Sequence, residues 1–197
     1  MKRVLILGAN GQIARVAIDM LLKDTNVKLT LFLRNAKRLK HIAQNNNVEL
    51  VEGDVLDKVA LKLAMDNQDI VYANLSGNLE AQAKTIVEVM NQTGIKRLIF
   101  ISSMGIYNEV PGEHYGSILD PYRKSASIIE ASELDYTIIR PAWLNNQDEI
   151  SYETTQKGEG FKNASASVSR KSVADLVMKL VSTPTLGVHQ SLGVHKA

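Results

Sequence analysis

No cysteine occurs in this chain, so disulfide frameworks, thiolate nucleophiles and cysteine-ligated metal sites are excluded. Charge of one sign is scarce as well: 23 lysines and arginines stand against 21 aspartates and glutamates, a net charge of +2. The pI is near 8.7, yet so small an excess is a poor footprint for a protein that must neutralise many phosphates, and no nucleic-acid partner is expected. Long apolar runs are missing too. The opening Met-Lys-Arg-Val-Leu-Ile-Leu-Gly ends its apolar run at Gly8, too short for a signal-peptide core or a membrane span. A cytoplasmic protein with no membrane partner is therefore expected. The four histidines, His41, His114, His189 and His195, show no short paired spacing, and His189 and His195 read as an edge strand and tail, so no metal site is expected. There is no repeat at solenoid periods and no low-complexity tract.

What the chain does have is alternation. Its 197 residues, 45% hydrophobic, suffice for one substantial core, and a single domain over 1–197 is the expectation. Short β-branched apolar runs alternate with amphipathic stretches, the pattern of βαβ units and a parallel sheet. Strands are predicted at Arg3 to Leu7, Lys28 to Leu33, Val48 to Glu52, Ile70 to Ala73, Arg97 to Ser102 and Tyr136 to Arg140, the last broken by Pro141. Helices are predicted at Gln12 to Lys23, from an Asp57 cap through Met65, at Glu80 to Thr93 stopped by Gly94, and near Pro121 to Ser132. The stretch from Trp143 to Ser167 reads as irregular or a small hairpin. Ser172-Val173-Ala174-Asp175 fits a capping box before a final helix. The fold class is thus α/β, a Rossmann-type doubly wound parallel sheet.

The first crossover reads Gly8-Ala9-Asn10-Gly11-Gln12-Ile13-Ala14. A strand, a tight glycine turn and a helix form a pyrophosphate site, because the unpaired N–H groups and dipole of the first helical turn attract phosphate. Gly8 would make the turn, Gly11 would clear space for the diphosphate, and a small residue at Ala14 would let helix and strand pack closely. The Gly-x-x-Gly-x-x-Ala spacing departs by one residue from Gly-x-Gly-x-x-Gly, and a plain strand-to-helix turn is the alternative; placement after the first strand of an alternating pattern favours the nucleotide. Arg34 lies 20 residues after Ala14, with Lys37 and Arg38 behind it and no acid close in sequence. An arginine there suits the 2′-phosphate of NADP(H), whereas an acid would suit the ribose of NAD(H). NADP(H) is the preferred cofactor and NAD(H) remains possible, with a solvated basic helix start as the alternative reading of the charges.

Together these residues resemble the atypical short-chain dehydrogenase/reductases, a compact NAD(P)H-binding group with NmrA-like and flavin- or biliverdin-reductase-like members. The resemblance covers nearly the whole chain and rests on Gly8 to Ala14, Gly53-Asp54-Val55, Ile101 to Tyr107 and Leu134 to Pro141. It implies cofactor contacts from Gly8, Asn10, Gly11, Gln12, Ile13, Arg34 and Arg38, adenine contacts from Asp54 and Val55, and ribose and diphosphate contacts from Asn74, Leu75 and Ser76. It also places Ser102, Ser103, Pro141, Ala142 and Trp143 about the nicotinamide. Each has a plainer alternative: Asp54 as a cap, Ser102 and Ser103 as a strand exit, Trp143 as one more buried aromatic.

The resemblance also implies a catalytic tyrosine with a lysine four residues later, and here the sequence departs from it. Tyr72, Tyr107, Tyr115, Tyr122, Tyr136 and Tyr152 are followed at that distance by Ser76, Pro111, Leu119, Ala126, Arg140 and Gln156. Tyr122 and Lys124 are two apart, on different sides of a helix, and Lys124 reads as a surface charge. Ser103 matches the family's substrate-polarising serine, and Tyr107 is expected at the mouth of the pocket; these two are the catalytic candidates. The expected activity is NADPH-dependent reduction of a small conjugated acceptor by hydride transfer without the dyad, with segments 105–120 and 143–170 on the substrate side. A non-catalytic dinucleotide-binding redox sensor is the alternative. Monomer and homodimer both stay open.

Overall fold

In the computed structural model, which describes residues 1–24 and 26–197, the alternation becomes one sheet with helices on both faces. The elements run β1 (Lys2–Leu7), α1 (Gln12–Leu21), β2 (Val27–Leu33), β3 (Val48–Glu52), α2 (Lys58–Met65), β4 (Ile70–Ala73), α3 (Leu79–Thr93), β5 (Arg97–Ile101), α4 (Asp120–Glu130) and β6 (Asp135–Pro141). There follow β7 (Leu144–Asn145), β8 (Glu153–Thr155), β9 (Val168–Ser169), α5 (Arg170–Ser182) and β10 (Gln190–His195). Strand order is β3-β2-β1-β4-β5-β6-β10-β8, and every pairing is parallel except β10 with β8. Growth to one side from β1 and to the other from β4 makes a switch point between those strands, where open α/β sheets bind ligands beyond the carboxyl ends.

The period of two along β1 divides the core. Val4 and Ile6 face α1 and α5, Leu5 and Leu7 face α2, α3 and α4, and all four are fully buried. Both faces being covered explains why the strands read as continuous apolar runs rather than as alternating ones. Asp57 caps α2, accepting from the Val59 and Ala60 N–H groups, and Gly94 ends α3 in the left-handed region at φ +76, both as the sequence implies. Among the described residues no helix is long and apolar enough to cross a membrane.

Several expectations need correction. Helix α1 stops at Leu21, short of Lys23. Pro141 does not break β6 but ends it, its carbonyl still accepting from the Met104 N–H. The stretch after Trp143 contains no hairpin: β7 pairs in parallel with β9, and β8 joins the main sheet instead. The last strand lies inside the sheet between β6 and β8, because β8 returns to cover it. The final helix starts three residues early: Ser169, not Ser172, is its cap, accepting from the Ser172 N–H at 2.9 Å and donating to Glu149 O at 2.6 Å. Asp175 is drawn away from the box to Tyr152 and Lys179. Replacing Ser169 by Ala should therefore cost about 1–2 kcal/mol, read from the urea midpoint; an unshifted midpoint would return the cap to Ser172.

Candidate functional site

The site is built where β1 leaves the sheet. Gly8 has φ +74, and a Cβ there would stand 2.2 Å from the Asn74 carbonyl oxygen, so no other residue fits. Asn74 follows β4 directly, and its N–H donates to Leu7 O at 2.9 Å, holding the two strand ends together at the switch point. Gly11 opens α1 in an extended conformation and brings no side chain to cap the first-turn N–H groups. A Cβ on Gly11 would lie 2.7 Å from Asn74 Nδ2. Gly11 thus makes room for the Asn74 side chain. Asn74 Nδ2 is buried without an acceptor, and α1 carries no acid in its first turn. A hydrogen-bond acceptor is what both features lack, and at a helix N-terminus the dipole favours one that carries negative charge.

A groove of about 780 Å³ opens beside this turn. It brings together Gly8, Asn10 and Gly11 from the first crossover, Arg34 and Arg38 from the end of β2, Asp54 and Val55 after β3, and Asn74, Leu75 and Ser76 after β4. Gln12 and Ile13 stand at the start of α1 outside the lining; Gln12 is exposed, and the Ile13 side chain is buried in the core. Arg34 and Arg38 are exposed, and neither forms an ion pair among the described residues. The sequence shows no acid near Arg34, but the adjacent strand supplies one: Glu52 Oε2 accepts from the Ala36 N–H at 2.8 Å and fixes the turn that carries Arg38. Its signal is the parallel register, which sets Leu33 beside Glu52. Asp54 accepts from its own turn at the Leu56 N–H (2.9 Å), and Gly53 leaves room for the Phe32 ring, 2.6 Å from where a Cβ would lie. Two other hollows, of about 400 and 690 Å³, sit at the amino ends of the strands around Arg3, Lys28 and Lys96, away from the switch point.

Ser102, Ser103, Pro141, Ala142 and Trp143 stand outside the lining of the groove, past the ends of β5 and β6. They are tied to each other: Ser102 N–H donates to Ile139 O at 2.7 Å, and Met104 N–H to Pro141 O at 3.2 Å. Ser102 Oγ is buried without a partner. Ser103 Oγ donates to Met104 O at 3.0 Å. Pro141 and Ala142 are buried, but Trp143 is 59% exposed, which removes the reading of it as a core aromatic.

Tyr107 is not among the groove's lining residues. Its hydroxyl donates to Glu130 Oε1 at 2.6 Å and lies 3.1 Å from Ser191 Oγ, bridging α4 and β10. Burial, with the Glu130 carboxylate behind it, holds this phenol well above its ordinary pKa. Tyr115 packs over Gly105, and burial followed by the Glu113 carboxylate pushes it up to about 12. Lys124 is the surface charge the spacing implies, 3.3 Å from Glu80.

A profile of the NAD(P)H-binding family matches residues 8–184. The chain belongs to the NAD(P)H-binding family. A Rossmann-fold NAD(P)-binding family protein from Shigella flexneri is 44% identical to it, with a TM-score of 0.88 over 100% of this chain and 94% of that one. A short-chain dehydrogenase/reductase from Veillonella parvula, solved in complex with NADP, is 28% identical with a TM-score of 0.91 over 99% of this chain and 94% of the other. The protein named uncharacterized sugar epimerase YhfK from Bacillus subtilis (strain 168) is 26% identical, covering 89% of this chain and 86% of its own. The resemblance read from the sequence and the expected class of cofactor are those of this NAD(P)H-binding family. Within it, Gly8→Ala should abolish dinucleotide binding in calorimetry, since the added methyl forces the turn away from Asn74; undiminished affinity would place the ligand elsewhere.

Proposed function

We propose that this chain is an NADPH-dependent oxidoreductase that reduces a small conjugated acceptor, a quinone, a flavin or a carbonyl compound, without a Tyr-x-x-x-Lys dyad. The observation that carries the reading is one groove holding both an uncapped helix end at a glycine turn and two guanidinium groups outside any ion pair among the described residues. Backbone N–H groups of Asn10, Gln12 and Ile13 are assigned to the diphosphate, the Gly11 N–H being held by Gly8 O at 2.9 Å, and the buried Asn74 amide would find its missing acceptor there. Arg34 and Arg38 are assigned to the 2′-phosphate, whose geometry suits a guanidinium fork. NADH, with a hydroxyl in that place, is expected to bind more weakly. Asp54 and Val55 are assigned to the adenine, Leu75 and Ser76 to the adenosine ribose side, and Ser102, Pro141, Ala142 and Trp143 to the nicotinamide end. The NADP held by the Veillonella relative supports the same cofactor here.

Bound reduced nicotinamide supplies a hydride; the chain contributes orientation and electrostatics. Ser103 is the proposed polarising group, its hydroxyl turning from Met104 O to the acceptor oxygen. A conjugated acceptor spreads the arriving charge and takes its proton from water, so no phenol is required. Tyr107 is assigned no proton transfer, because Glu130 holds its hydrogen and its pKa is raised. Segments 105–120 and 143–170 are assigned to the acceptor side.

The test follows NADPH absorbance over a panel of quinones, flavins and aldehydes. Protein-dependent oxidation that Gly8→Ala abolishes supports the reductase; tight binding with no turnover across the panel makes the chain a redox sensor instead. Arg34→Asp should weaken NADPH binding roughly 10- to 100-fold and NADH binding far less. Equal effects on both would remove Arg34 from the 2′-phosphate.

A further inference from the structure

Behind the nicotinamide end lies a buried charge pair that the reading above does not use. Arg140, next to last in β6, has a side chain 0% exposed, and that of its partner Glu109 is 3% exposed. All three guanidinium nitrogens are engaged: Nη1 donates to Glu109 Oε1 at 2.5 Å, Nε to Ser191 Oγ at 3.0 Å, and Nη2 to Ser191 O at 3.0 Å. Both Glu109 oxygens accept backbone N–H groups as well, Oε1 from Gly105 at 3.0 Å and Oε2 from Tyr107 at 2.9 Å. The Tyr107 and Phe161 rings lie 5.0 and 5.8 Å from the guanidinium carbon, and the Phe161 N–H donates to Glu109 O at 2.8 Å.

Two charges taken out of water gain little stability over apolar packing of the same volume. What such a pair does provide is one fixed geometry, since leaving either charge alone is strongly unfavourable. Here the geometry is a single carboxylate closing the turn from Gly105 to Glu109, where Gly105 has φ +87, and fastening it to β6 and, through Ser191, to β10. Ser103 stands two residues before that turn and Trp143 three residues after Arg140.

We infer that Glu109 and Arg140 are positioning residues for the reaction end of the site, fixing Ser103 against the Pro141–Trp143 segment. The inference rests on the functional reading above for what Ser103 and Trp143 meet. Neither charge touches substrate or cofactor; both act through the backbone of 102–107 and of β6. The dinucleotide groove contains no member of this network, so coenzyme affinity and turnover separate.

Glu109→Gln keeps the shape but takes the counter-charge from Arg140. Three measurements compare it with the parent: NADPH affinity by calorimetry, kcat and KM for the acceptor, and the response of the single tryptophan, Trp143, to NADPH. The expected result is NADPH affinity within about twofold, kcat down about 10- to 100-fold, and a lost Trp143 response. A variant that melts earlier but keeps kcat and the parent's Trp143 response overturns the inference and leaves the pair merely structural. Should Glu109→Gln fail to fold, Ser191→Ala, which removes one Arg140 acceptor and spares the ion pair, decides by the same split with a smaller loss of kcat. If the parent turns over nothing in the panel, the functional reading fails by itself and Trp143 decides alone: a response lost in the variant supports positioning, while a response retained, or absent in the parent, overturns it.

Discussion

The close approach of the first crossover to the end of β4 is the constraint on which the rest is arranged. Gly8 sits so near the Asn74 carbonyl that a single added carbon has no place, and the Asn74 N–H in turn holds Leu7. Because the turn hugs the sheet at its switch point, α1 leaves with its uncapped end toward the groove rather than toward solvent. A looser turn would accept a side chain at residue 8 and would lose the site. The same contact explains a glycine at residue 11, whose missing Cβ is the space that the Asn74 amide fills.

The two ends of the site are held by different means. Along the groove, short loops after β2, β3 and β4 present backbone and exposed side chains, with Glu52 pinning the turn beneath Arg38. At the other end, fixity comes from a desolvated guanidinium and carboxylate beneath a polar loop, with Arg123 adding bonds to the Tyr115 and Gly116 carbonyls. Met104, Ile106 and Val110 are buried on either side of this anchor, while the loop from 111 to 118 beyond it is largely exposed, the condition under which a segment opens most easily.

Much of the architecture was legible because local chemistry dictated it. Continuous apolar strands, the Asp57 cap, the left-handed Gly94 and the glycine turn all leave marks within a few residues. What escaped depends on partners far away in sequence. Ser172 with Asp175 reads as the cap of α5, yet the Ser172 hydroxyl is taken up by the Ser151 N–H of a distant segment, and Ser169 accepts the Ser172 N–H instead. The pairing of β7 with β9 and of β8 with β10 rests on strands of two or three residues, too short to show a period. Nothing near Tyr107 announces that Glu130 and Ser191, on other elements, take up its hydroxyl. Arg140 reads as the end of a strand, and nothing near it announces Glu109, 31 residues earlier, or Ser191, 51 residues later.

The antiparallel return of β8 has a consequence for how the molecule behaves in a crowded solution. An open sheet edge is a template on which other chains can add strands and aggregate. Here one edge is a strand of only three residues with Glu153 exposed, and the other, β3, carries Glu49 and Glu52 in exposed positions. Brevity guards one margin and negative charge guards both, so a sheet assembled largely from apolar strands offers its neighbours little to extend.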